Sequence, residues 1–212
     1  MKADKPKIHP GWIAVAVTFV TLMATAGFRS APTVLVVPLE SAFGWSRSDI
    51  SLAIAVNLLL FGLVSPFAAA LMEKFGIRRV VMTALTTISI GALLTIFIKA
   101  PWQLIATWGV IVGIGTGSMA LVFAATIANR WFVARRGLVT GLLTAATATG
   151  QLIFLPGLSY LATTYSWKSV SITVTSFAIL VVPFIFFLLR EEPAEVGLLP
   201  YGAPLDWQPT TK

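Results

Sequence analysis

Seven residues carrying four charges, Glu73-Lys74-Phe75-Gly76-Ile77-Arg78-Arg79, separate two long apolar runs. A run of about 18 or more apolar residues is long enough to cross a bilayer core of ~30 Å. In hydrocarbon only helices and closed barrels satisfy their own backbone hydrogen bonds, so two runs joined this tightly predict a helical hairpin. Gly76 permits a sharp helix exit, and the basic residues mark one side of the membrane. Composition agrees, with 57% apolar and 11% charged residues, against roughly 25% charged in soluble domains.

The pattern recurs along the chain. Apolar runs over about 12–39, 48–72, 80–98, 102–128, 137–164 and 169–189 predict an all-α integral membrane protein of six helices. A polar leader over 1–11 precedes them. The tail over 190–212 has no apolar periodicity and reads as an irregular linker. Ala24-Thr25-Ala26 has the form of a signal-peptide cleavage site, but apolar character resumes after Arg29 and further spans follow. Ser46-Arg47-Ser48-Asp49 reads as a helix start, with a hydroxyl cap and an acid three residues on.

Six spans put both termini on one side. Lys2, Lys5, Lys7, Lys74, Arg78, Arg79, Arg130, Arg135, Arg136, Arg190 and Lys212 share that side, while Arg47, Lys99 and Lys168 face the other. The asymmetry predicts cytoplasmic termini and explains the net charge of +7 without a nucleic-acid partner. The chain has no cysteine, and its single histidine, His9, precedes the first span. That removes disulfides and cysteine metal sites, and leaves no histidine within the membrane for catalysis or metal binding. No enzymatic activity, cofactor or metal is expected.

Arg29 is the basic residue left inside a span. A guanidinium near the bilayer centre costs ~2.5–3.5 kcal/mol on insertion scales, so such residues usually face a cavity and a partner. Pro32 adds a kink point nearby. Arginine binds a carboxylate through two parallel hydrogen bonds, which suits an anion site. The alternatives are snorkelling to the interface or a structural ion pair. Asn57 and Gln151 lie at similar depth and are candidate secondary contacts, or equally helix–helix hydrogen bonds. Gly109, Gly113 and Gly117, with Gly115 between, give the fourth span a smooth face for close helix packing.

Ala69 to Arg79 resembles the loop signature G-x-L-a-D-R-x-G-R-R of the major facilitator superfamily of secondary transporters. Glu73, Lys74, Gly76 and Arg78 match, while Ala69 and Ile77 depart from it. Phe43-Gly44-Trp45-Ser46-Arg47, Asn129-Arg130-Trp131-Phe132 with Arg135-Arg136-Gly137, and Val196 to Gly202 look like its monocarboxylate-porter and oxalate–formate-antiporter branch. The fifth span, with Gly141, Gly150 and Pro156-Gly157, partly matches that superfamily's gating motif. The fourth-span arginine of the superfamily has no counterpart, since Gly109 and Ile111 stand there.

The resemblance implies half of a twelve-helix fold, built as a three-plus-three inverted repeat. It implies small organic anions, often monocarboxylates, moved through a plasma or inner membrane by symport or antiport. Arg29, Asn57 and Gln151 would then bind substrate, and Glu73, Gly76, Arg78 and Arg130 would gate the cytoplasmic side. A second six-span half is an expected partner, and must supply any proton-carrying acid, because Glu40, Asp49 and Glu73 all lie near span ends. The rival reading is a non-transporting membrane subunit or scaffold.

Overall fold

The structure is a computed structural model and describes residues 9–204. Six helices in it are long and apolar enough to cross a membrane. They are α1 (Pro10–Phe43), α2 (Arg47–Phe75), α3 (Ile77–Thr95), α4 (Pro101–Trp131), α5 (Arg136–Thr164) and α6 (Trp167–Leu188). Lys2, Lys5, Lys7 and Lys212 of the charge asymmetry lie outside the described residues.

Local chemistry sets the helix ends. Ser46 caps α2 by accepting from the Asp49 N–H at 3.2 Å, while its hydroxyl donates to the Asp49 carboxylate at 2.7 Å. Helix α1 continues through Pro32 and Pro38 to Phe43, so the connection expected between the runs ending near 39 and starting near 48 shrinks to three residues ending at Ser46. Gly44 closes it in the left-handed conformation (φ 67°), donating to the Glu40 carbonyl at 2.9 Å. Helix α4 is broken: an α-helical turn Pro101–Leu104 leads into a π-helical stretch Ile105–Val112, then α-helical Gly113–Gly117 and Ala120–Trp131. A π stretch inside a helix is uncommon and tends to mark a functional region.

The helices pair as α1 with α5 and α6, α4 with α2 and α3, and α3 with α6. Exchanging the first three helices for the last three leaves this pattern unchanged, as a three-plus-three repeat requires.

Glycines set the closest contacts. A Cβ on Gly109 would lie 3.1 Å from the Ala53 carbonyl oxygen. On Gly113 it would meet the Asn57 backbone at 3.1 Å, and on Gly117 the Phe61 backbone at 3.0 Å. The four-residue period of α4 thus matches that of Ala53, Asn57 and Phe61 on α2. Gly115 faces the other way, onto Ala84 and Ile88 of α3. Gly150 brings α5 onto α1, where a Cβ would sit 2.5 Å from the Met23 carbonyl oxygen. In lipid, helix association rests on such packing rather than on hydrophobic exclusion.

The tail read as an irregular linker is tied down over its described part. Glu191 accepts from the Ile77 N–H at 2.6 Å and the Arg78 N–H at 3.0 Å, capping the start of α3. A 3₁₀ turn follows at Pro193–Val196. The Tyr201 N–H then donates to the Trp131 carbonyl at 2.8 Å, and the Val133 and Ala134 N–H groups donate to the Tyr201 carbonyl at 2.9 and 3.1 Å. Its ring packs edge-on against His9 and Trp12. The Leu199 carbonyl accepts from His9 Nε2 at 3.1 Å, while His9 Nδ1 accepts from the Gly11 N–H and caps α1. The segment was illegible in the sequence because its bonds are to backbone distant along the chain, which leaves no periodic pattern.

Two outcomes are expected. Replacing Gly150 with leucine overpacks the α1–α5 contact and should cost about 1–3 kcal/mol, whereas Gly157→Leu, which meets open space, should be near neutral; thermal unfolding in detergent compares them. The double change Glu191→Ala with Tyr201→Ala removes charge-assisted bonds worth about 1.5–3 kcal/mol. It should speed tryptic cleavage after Arg190 by about ten-fold or more with α-helical content retained.

Candidate functional site

A cavity of about 370 Å³ opens between α1, α2, α4 and α5. That volume lies in the range of small-molecule pockets, roughly 300–1,000 Å³. None of its lining residues comes from α3 or α6. Leu22, Ala26, Met119, Ala124 and Leu143 make most of the wall apolar. Arg29 supplies the single charge. Its guanidinium lies 4.6 Å from the centre of the Phe61 ring, a cation–π contact that holds it on the cavity side of α1. Among the described residues no carboxylate comes within 4.0 Å of it.

Three of the four threonine hydroxyls lining the cavity, all but that of Thr147, are pre-assigned. Thr25 donates to the Thr21 and Leu22 carbonyls, Thr116 to Val112 and Gly113, and Thr144 to Thr140. With their hydrogens engaged inside their own helices, these oxygens offer lone pairs to the cavity. Arg29 and the Gln151 amide are the strong donors facing it. A carboxylate needs donors, and Arg29, exposed on the open side of the cavity, offers a guanidinium fork beside an apolar wall.

Of the three expected contacts, the structure brings Arg29 and Gln151 into this cavity and places Asn57 outside it. The Asn57 side-chain N–H donates to the Trp108 carbonyl at 2.8 Å, within the π-helical stretch of α4. It is a helix–helix bond, the second of the two readings open at that position. The sequence reading passed over Phe61, Thr144 and Thr147. A usable signal existed in α5, since Thr144, Thr147 and Gln151 share one helical face.

The expected gate residues lie at the end of the bundle that carries the described chain ends. Gly76 joins α2 to α3 at φ 90°, and a Cβ there would be 2.7 Å from Glu191 Oε1. Arg130 sits 3.7 Å from Glu191 Oε2 and donates to the Met72 carbonyl at 3.3 Å, so one guanidinium bridges the end of α2 and the tail. Arg78 stacks on Phe186 at 4.4 Å. Glu73 is exposed and, among the described residues, has no ion pair. The carboxylate that organises this end is Glu191. The sequence reading did not single it out, because a tail acid carries no mark of the helix start it caps.

The Major Facilitator Superfamily profile matches residues 17–210. The chain is 28% identical to Monocarboxylate transporter 2 of Homo sapiens over 169 residues, 77% of this chain and 35% of that protein. It is 25% identical to the uncharacterised MFS-type transporter YcxA of Bacillus subtilis over 183 residues, 86% of this chain and 45% of that protein. Against Monocarboxylate transporter 13 of Bos taurus the identity is 27% over 180 residues, 84% and 42% of the two. The chain thus spans a third to just under half the length of these relatives. With six membrane-crossing helices, their repeat-like pairing and a profile match over most of its length, the chain belongs to the major facilitator superfamily.

Proposed function

We propose that this chain forms the first six-span half of a secondary transporter for small organic anions, with monocarboxylates as the substrate class. The observation that carries the reading is Arg29, a guanidinium with no carboxylate partner among the described residues, held over Phe61 in an apolar cavity. The printed names of the relatives support the substrate class. A second six-span half would cover the cavity mouth, and alternating access would be rocking of one half against the other around the bound anion.

In this reading the carboxylate lies across the Arg29 fork, the Gln151 amide donates to it or to a neighbouring oxygen, and the apolar wall takes the substrate's carbon skeleton. Asn57 acts one layer back, fixing α4 against α2. The charge asymmetry puts both chain ends in the cytoplasm. Glu73, exposed beside the α2–α3 turn, is then free to meet the facing half, while Arg78, Gly76, Arg130 and Glu191 hold the turn in shape. A proton coupled to transport would ride on an acid of the other half, since among the described residues no Asp or Glu lines this cavity.

Uptake of radiolabelled small monocarboxylates into proteoliposomes tests this, using the chain alone and the chain extended by the sequence encoded downstream of it. Saturable uptake by the extended form is expected. Arg29→Gln should reduce it by at least about ten-fold, the scale of a lost charge-assisted pair. Normal uptake by Arg29→Gln would sink the anion site. The Asn57→Ala variant should separate from it, losing about 1–3 kcal/mol of stability to the orphaned carbonyl while the KM of the surviving protein stays unchanged. A raised KM for Asn57→Ala at full stability would instead return Asn57 to the binding site.

A further inference from the structure

Helices α3 and α6 stand behind the cavity and pack on each other, and their outer seam carries two openings in line. The first, about 750 Å³, lies at the end of the bundle bearing the described chain ends and is lined by Arg78, Arg79, Thr83, Phe186, Glu191 and Glu195 among others. The second, about 400 Å³, continues along the seam between Ile90 and Leu93 of α3 and Ile179 and Val182 of α6. One end of this track carries two arginines beside two carboxylates, and the rest is apolar apart from Thr86 and Ser89.

The polar end has an unfilled charge requirement. Among the described residues, neither Arg78 nor Arg79 has a carboxylate within 4.0 Å. The two acids nearby are already engaged: Glu191 by the Ile77 and Arg78 amides and Arg130, and Glu195 by the Glu191 N–H at 3.2 Å. The stack of Arg78 on Phe186 holds its guanidinium at the mouth of the seam. Further in, Thr83 and Thr86 donate to the Arg79 and Met82 carbonyls at 2.9 Å, so the wall they form presents little polarity. Arg78 to Leu93 is fifteen residue steps, about 22 Å of helix axis. Half of a membrane including its headgroup region is about 20–22 Å. The track therefore matches one leaflet in depth, with charge where phosphates lie and apolar surface where chains lie.

We propose that an anionic phospholipid seats in the α3–α6 seam, its phosphate on Arg78 and Arg79 and one acyl chain in the groove beyond. Basic pockets between membrane helices suit such headgroups, each basic residue adding an increment that a neutral headgroup cannot recover. Bound there, the lipid bridges the α2–α3 turn to the end of α6, on the face of the bundle away from the cavity.

Native mass spectrometry of the purified chain, titrated with phosphatidylglycerol, phosphatidylcholine or inorganic phosphate, tests this. Phosphatidylglycerol adducts should form at clearly lower concentration than phosphatidylcholine adducts, and inorganic phosphate should not displace them. The double change Arg78→Gln with Arg79→Gln should weaken phosphatidylglycerol by about thirty-fold, the increment of two basic residues. Arg190→Gln, outside the seam at the same end, should leave it within about two-fold. Ile179→Trp should weaken the lipid by filling the groove with every charge in place, and it decides the matter if the double variant does not fold. Equal affinity for the two lipids, competition by phosphate, equal losses in the Arg190 and double variants, or an unchanged affinity in Ile179→Trp would each overturn the proposal.

Discussion

Close approach of helix backbones at α4 is the constraint on which the rest of this bundle depends. Gly109, Gly113 and Gly117 let α4 lie directly on the backbone of α2 at Ala53, Asn57 and Phe61. That contact brings the Asn57 amide to the Trp108 carbonyl and carries Phe61 to the cavity wall, where its ring meets Arg29. Gly150 does the same for α5 on α1, bringing Gln151 to the cavity that Arg29 enters. Side chains larger than hydrogen at these points would separate the helices and move both polar groups. Membrane helices have no water to escape by associating, so fit at such seams replaces the burial that drives soluble folding.

The six helices divide into two sets with different environments. Helices α1, α2, α4 and α5 wall the cavity, while α3 and α6 lie behind it and expose residues such as Ile90, Ile179, Phe186 and Phe187. Two arginines on cavity-walling helices, Arg130 and Arg29, differ in what they meet. Arg130 at the bundle end is bound to Glu191 and the Met72 carbonyl, and has the character of a structural tie. Arg29 has an aromatic ring for support and no acid among the described residues. Arg29 is exposed at the cavity, and in the function proposed for this chain a substrate anion is the group that would pair with it.

The broken path of α4 fits this arrangement. Thr116 lies between its π-helical stretch and the break at Ser118 and Met119, and both Thr116 and Met119 are on the cavity wall. A regular helix would present a different face there. The helix beside the proposed substrate is thus also the least regular one.

Much of the architecture was legible without coordinates, because lipid leaves the backbone few choices. Runs the length of a bilayer must be helices, the glycine period announces a packing face, and the Ala69–Arg79 loop with its flanking motifs points to the superfamily. Arg29 stood out for the same reason: a charge in hydrocarbon demands an explanation. The tertiary structure alone decided what each polar group meets. Asn57 and Gln151 are amides at similar depth, yet one bonds a neighbouring helix and the other faces the cavity, because rotation about the helix axis is set by packing and not by hydropathy. Glu191 and Tyr201, in a tail without apolar period, became the ties of the bundle end through backbone groups more than sixty residues away. Hydropathy and spacing are properties of one segment, and therefore readable along the chain. Partnership between distant groups is a property of the packed bundle, and arises only once close approach has put them side by side.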